Sequence, residues 1–191
     1  MKQNRKIIFI LLILLISIVC DQVTKKIAFE NLAGNEKISF FHGTIVLRYA
    51  ENTGGFLGLG SSIPENIRFW IFSVSVAIFL LFMLLYIVFS KAFTFYQTMA
   101  LAAILGGGIG NLIDRFQFNG RVVDFMNLGI GPVRTGVFNV ADLFITFGAI
   151  FLFILLIAEG KKNKGKNLDS PIQPSRKHSS FDGTGKSGND E

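Results

Sequence analysis

Ile67-Arg68-Phe69-Trp70-Ile71-Phe72-Ser73-Val74-Ser75-Val76-Ala77-Ile78-Phe79-Leu80-Leu81-Phe82-Met83-Leu84-Leu85-Tyr86-Ile87-Val88-Phe89 carries one charge, Arg68, near its start. A helix needs about 20 apolar residues to cross a hydrocarbon core about 30 Å thick, and this run meets that requirement outright. Two further runs, 95–113 and 138–158, do the same. A fourth, 7–29, is free of charge only from Ile7 to Cys20. It spans if Asp21, Gln22 and Lys25 belong to the helix near a membrane interface. Composition agrees with a membrane class: half of the 191 residues are hydrophobic, 21 are Phe, and only 17% are charged.

Lys and Arg in short flanks set the orientation. Lys2, Arg5 and Lys6 precede the first span, Lys91 sits in the turn between the second and third, and Lys161, Lys162, Lys164 and Lys166 follow the fourth. All three groups fall on one side, so both termini are expected in the cytoplasm, with segments 30–66 and 114–137 outside. The formal charge of +6 does not indicate nucleic acid, because the basic residues cluster beside apolar runs and in the tail. The start of the chain also has the shape of a lipoprotein signal peptide ending at Cys20. Val19 stands where such a cleavage site needs a small residue, and three more spans follow, so Cys20 is read as part of the helix.

Segment Lys37 to Tyr49 is rich in β-branched and aromatic residues around Gly43 and reads as short strands about a turn. Arg121 to Val137 reads as extended chain with turns at Gly129, Gly131 and Pro132. Residues 161–191 have no period and read as a disordered cytoplasmic tail. The expected architecture is therefore a membrane all-α bundle of four transmembrane helices with a small extracytoplasmic β-sheet, residues 1–160 forming one domain.

Ionisable side chains within a bilayer are costly, so each is a candidate for function. Outside the tail the chain has four Asp: Asp21, Asp114, Asp124 and Asp142. The topology brings all four to one membrane face. At helical spacing Asp21 shares a face with Lys25, Asn111 with Asp114 and Arg115, and Asn139 with Asp142. Asp21 and Asp114 each have a basic neighbour (Lys25, Arg115) to keep them ionised, and read as supports. Asp124 and Asp142 have no cation beside them in sequence. Two such carboxyls held close share a proton, one activating a water and the other hydrogen-bonding a carbonyl. The same acids also suit a small proton- or cation-translocating protein. The two histidines, His42 and His178, and the single cysteine give no metal-ligand spacing, so no metal or cofactor is expected. Gly106 and Gly110 form a small-xxx-small face for close helix packing.

Asp21-Gln22-Val23-Thr24-Lys25, Asn52-Thr53-Gly54, Gly107 through Arg115, Val122-Val123-Asp124-Phe125 and Phe138-Asn139-Val140-Ala141-Asp142, in this order on four spans, resemble the lipoprotein signal peptidase (signal peptidase II) family. The resemblance covers about residues 7–158. It implies an aspartic endopeptidase of the bacterial inner membrane with Asp124 and Asp142 as the catalytic pair. Asp21, Lys25, Asn52, Gly54, Asn111, Asp114, Arg115 and Asn139 are implied as substrate-binding or supporting residues. It also implies prolipoprotein substrates cleaved before a diacylglyceryl-modified cysteine, contact with membrane lipid, a monomer, and an active site on the extracytoplasmic side. The run Asn52-Thr53-Gly54-Gly55-Phe56 is one small residue shorter than the family's usual pattern, which bears on where Phe56 or Leu57 meets substrate.

Overall fold

The computed structural model describes residues 3–54 and 62–168. Two compact units divide the chain, Met1–Ile157 and Ala158–Glu191, and the sheet and all candidate site residues lie in the first. The elements in order are α1 (Gln3–Leu32), β1 (Ile38–Phe40), β2 (Ile45–Asn52), α2 (Glu65–Phe69), α3 (Ser75–Phe89), α4 (Phe95–Gln117), β3 (Val122–Ile130), β4 (Val133–Arg134) and α5 (Val140–Leu168). A π-turn, Trp70–Val74, joins α2 to α3 without a break. Among the described residues, four helical stretches are long and apolar enough to cross a membrane: Gln3–Leu32, Glu65–Phe89, Phe95–Gln117 and Val140–Lys161. The fold is thus the expected membrane bundle of four helices with a small sheet.

α1 shows how the spans pack. Its buried residues are Lys6, Ile10, Leu14, Ser17, Asp21, Lys25, Ala28 and Leu32, spaced by three and four as on a single helical seam. The rest of its surface, including Leu11, Leu15 and Val19, is apolar and exposed, as a lipid-facing surface must be. Thirty residues make a helix about 45 Å long, which exceeds the hydrocarbon thickness by several turns. Its polar end from Asp21 onward therefore lies at the bilayer boundary.

α4 lies along that seam because it presents glycine. A Cβ on Gly106 would overlap Ser17 Oγ, one on Gly110 would stand 2.6 Å from Asp21 Oδ2, and one on Gly107 would meet the Ala141 carbonyl of α5. The expected small-residue face is thus seated on α1, and its neighbour Gly107 admits α5 as well. This close approach assembles the polar site. At the other end Thr94 caps α4 in a reciprocal pair with Gln97, with bonds of 3.3 and 2.8 Å.

The strands form one antiparallel sheet in the order β1-β2-β3-β4. Phe40 pairs with Ile45 and Leu47 with Met126, and a bulge lies between Leu47 and Ala50. Both segments read as strand-and-turn from sequence are strands here. The inner part of the sheet rests on the end of α1, where Ala28, Leu32 and Phe125 form a cluster with Leu47, Tyr49 and Met126 packed against it.

Several helix boundaries differ from the apolar runs. α1 ends at Leu32 and α4 at Gln117, later than 29 and 113, because helical hydrogen bonding continues into water after the apolar period stops. α5 starts at Val140 rather than 138, since Asn139 is its cap. It continues to Leu168, so the first eight residues of the expected tail are helical. Residues 169–191, like Phe56 and Leu57, lie outside the described residues.

Candidate active site

Asn139, fully buried at the start of α5, organises the site. Its Oδ1 accepts the Asp142 backbone N–H at 3.0 Å, and Asp142 Oδ2 accepts the Asn139 backbone N–H at 3.2 Å. This reciprocal cap satisfies N–H groups that open every helix. It leaves the Asn139 side-chain amide free to donate to Asp124 Oδ1 at 2.6 Å, Asn111 Oδ1 at 3.0 Å and the Val123 carbonyl at 3.3 Å. The two acids that sequence left without a cation are therefore joined through one side chain.

Asp124 projects from β3 and is buried. Its second oxygen accepts from Asn52 Nδ2 at 3.0 Å, and Asn52 Oδ1 in turn accepts the Gly54 N–H at 3.0 Å. Burial, and then the charge of Asp142 nearby, push the Asp124 carboxyl up to about 7. Asp142 is half-buried and accepts from Asn111 Nδ2 at 2.9 Å as well as from the Asn139 backbone. Both acids line one cavity of about 370 Å³, together with Asn52, Asn111, Arg115 and the apolar Phe72, Val76 and Ile145.

Behind this pair lies a second cluster. Lys25 Nζ stands 2.7 Å from Asp21 Oδ2, 2.9 Å from Asp114 Oδ2 and 3.0 Å from Asn111 Oδ1. Asp21 Oδ1 accepts the Ala141 N–H at 2.8 Å and so holds the first turn of α5, while Asp114 Oδ2 accepts the Val123 N–H at 3.0 Å and holds β3 beside Asp124. One lysine thus pairs with two carboxylates, each of which anchors an element carrying one acid of the pair. The expected support of Asp114 by Arg115 is corrected here. Adjacent helical residues point apart, and the cation on Asp114 is Lys25 of α1. Gln22, absent from the sequence-derived site, donates to Asp114 Oδ1 at 2.8 Å, the Gly110 carbonyl at 3.2 Å and Asp21 Oδ2 at 3.3 Å. Its signal lay in its place between Asp21 and the exposed side of the same turn.

Arg115 turns instead to the cavity that Asp124 and Asp142 line. Its Nη groups donate to the Asn111 and Gly54 carbonyls at 3.3 Å each. Its Nε is buried and has no partner among the described residues. Of the other two cations near the site, Lys25 is consumed by acids and Arg121 pairs with exposed Glu51 at 2.7 Å. Arg115 alone of these three lines the cavity.

The sequence profile described as "Signal peptidase (SPase) II" matches residues 13–158. The lipoprotein signal peptidase of Desulforapulum autotrophicum is 37% identical over 151 residues, covering 78% of this chain and 91% of that one. That of Chlorobium phaeobacteroides is 40% identical over 146 residues, covering 72% and 88%. A bacterial membrane enzyme solved by the in meso method at 2.3 Å resolution superposes with a TM-score of 0.68 at 23% identity, over 86% of this chain and 93% of that one. At that identity the superposition speaks for the fold alone.

Proposed function

This chain belongs to the signal peptidase II family, as a multi-pass bacterial membrane peptidase, and on that premise we propose that it removes signal peptides from prolipoproteins by aspartic catalysis with Asp124 and Asp142. The observation that carries this reading is the double attachment of Asn139, which holds both carboxyls on one cavity. The environments divide the roles. Asp124, buried and pushed up to about 7, keeps the proton and hydrogen-bonds the scissile carbonyl. Asp142, half-buried and holding two donors on its oxygens, is the base that takes a proton from water. The hydroxide so formed adds to the carbonyl carbon. Return of that proton to the leaving amine breaks the C–N bond, and the pair is restored.

Arg115, with Nε unpartnered at the cavity wall, is placed to meet a substrate carbonyl. The cleaved bond is the one before the diacylglyceryl-modified cysteine, whose acyl chains stay in the leaflet while its peptide bond sits at the boundary where α1 and α4 become polar. In this reading the site faces the extracytoplasmic side, both termini are cytoplasmic, the membrane is the inner one, and the enzyme acts as a monomer without a cofactor. Ion translocation gains no support. Among the described residues the buried charges gather at one end of the bundle, apart from Lys6, which bonds the Ser90 carbonyl at the other end.

The test is Asp124→Asn and Asp142→Asn, each assayed on a lipidated precursor in membranes. Cleavage should vanish in both variants; substantial turnover in either removes that residue from the mechanism.

A further inference from the structure

Gln22 stands at the border of the buried seam of α1. It follows Asp21 and precedes Lys25 by one helical turn, and it is half-buried where both of those are buried. Its side-chain nitrogen has three acceptors around it: Asp114 Oδ1 at 2.8 Å, the Gly110 carbonyl at 3.2 Å and Asp21 Oδ2 at 3.3 Å. These neighbours fix which way the amide points, since a flipped amide would set its own oxygen against theirs. On its outer side Gln22 lines a cavity of about 400 Å³ with Phe29, Gln117 and Phe118, and Asp114 lies at the same wall. This cavity is distinct from the one that Asp124 and Asp142 line, and the two share no lining residue.

The Asp114 carboxylate has a freedom that Gln22 removes. Lys25 Nζ and the Val123 N–H both meet one oxygen, Oδ2, at 2.9 and 3.0 Å. Rotation about the last bond of an Asp side chain is broad, so two donors on one oxygen hold that atom without fixing the plane of the group. A turned carboxylate would divide the two donors between its oxygens and draw the Val123 N–H, and β3 with it, from its place. Among the described residues Gln22 is the one donor on Oδ1, and it selects the plane in which Oδ2 serves both. Water in the outer cavity can bond the same oxygen but brings no fixed direction. Gln22 brings one, because it is tied to the Gly110 carbonyl one turn before Asp114 on α4. We propose that Gln22 is a positioning residue for Asp124: by orienting the Asp114 carboxylate it sets the Val123 N–H, and so the neighbouring Asp124, on β3. The inference rests on the assignment of Asp124 to the reaction, and it adds to the machinery a residue that touches neither acid of the pair.

The experiment reads geometry and rate separately. Val122-Val123 is the only Val-Val pair in the chain. Valine labelled at the carbonyl carbon, mixed with valine labelled at the amide nitrogen, therefore singles out the Val123 amide in a carbonyl-correlated NMR spectrum of the full chain in nanodiscs. In the unsubstituted protein that proton should resonate well downfield, as one bonded to a carboxylate does. A position typical of a solvent-bonded amide overturns the proposal before any variant is made. Gln22→Met keeps the length of the side chain and removes the donor. It should move the Val123 resonance upfield and lower kcat on a lipidated precursor by about tenfold or more, with KM changed by less than about twofold. Gln117→Met alters the same outer cavity at a side chain with no bond to Asp114, and should leave both readouts at their wild-type values. An unmoved Val123 resonance in Gln22→Met overturns the proposal whatever the rate does. So does a resonance that moves while kcat holds, in an enzyme that Asp124→Asn silences. If Asp124→Asn still cleaves, it is the assignment of Asp124 that fails, and the resonance alone then upholds or overturns the orienting role of Gln22.

Discussion

Asn139 donates its side-chain amide to Asp124 at 2.6 Å while its own carbonyl oxygen caps the helix turn that bears Asp142. One residue therefore sets the position of the strand acid and of the helix acid together. Asn139→Ala should cost about 1 kcal/mol of stability as a lost cap. The larger effect is on turnover, because both carboxyls lose their reference point, and a misplacement of about 1 Å can cost about 10²-fold. The comparison that checks this is Asn139→Ser, which retains a capping oxygen but cannot donate to Asp124 in the same geometry. Its thermal midpoint should recover while its turnover stays low.

The raised carboxyl of Asp124 fixes the sign of the pH dependence. The group is protonated below about 7 and ionised above, and the proposed mechanism uses the protonated form. Activity should therefore fall as pH rises through about 7. Asn52 hydrogen-bonds this carboxyl and favours its ionised form, so Asn52→Ala should move the alkaline limb to higher pH. Stability follows the same linkage. The folded state holds the proton more tightly than the unfolded chain between 3.8 and about 7, so this group makes the protein less stable as pH rises across that window. Kinetic profiles and melting curves of wild type against Asp124→Asn test both statements.

Lys25 is the sole ion-pair partner of Asp21 and Asp114 among the described residues. Lys25→Met would leave two buried carboxylates without a cation, which costs about 3–5 kcal/mol where a buried pair is broken from one side. A double variant, Lys25→Met with Asp114→Asn, removes one of the stranded charges and should regain part of the midpoint lost. If the single variant melts like wild type, the cluster is not the anchor described above.

Much of this arrangement was legible in the sequence, and the reasons are physical. The 67–89 run can only be a span, and topology alone takes Asp21, Asp114, Asp124 and Asp142 to one face. The strand segments announced themselves through β-branched residues around Gly43 and Gly131. Sequence could not tell which cation serves which acid. Lys25 and Asp114 meet only because α1 and α4 cross at Gly106 and Gly110, so Arg115 beside Asp114 was the nearer but wrong partner. Nor could spacing show that Asp21 binds the Ala141 N–H, 120 residues away. Helical period predicts neighbours on one helix and is silent about the helix opposite.

Gly110 is the most exacting point of that crossing. A Cβ there would stand 2.6 Å from Asp21 Oδ2 and 3.2 Å from its Cγ. Asp21 cannot yield freely, since one oxygen is held by Lys25 and the other by the Ala141 N–H. Gly110→Ala must therefore push α1 from α4 or turn Asp21 away, at about 1–3 kcal/mol for an overpacked site. Either response releases the first turn of α5 and so displaces Asp142. Gly108→Ala is the contrasting case, since its new Cβ would meet only the end of the Leu80 side chain, at 2.7 Å, and that chain can rotate. Melting curves and turnover of the two variants should separate, with Gly110→Ala impaired in both and Gly108→Ala stable. Equal behaviour of the two would mean that the α1–α4 contact does not position the helix that bears Asp142.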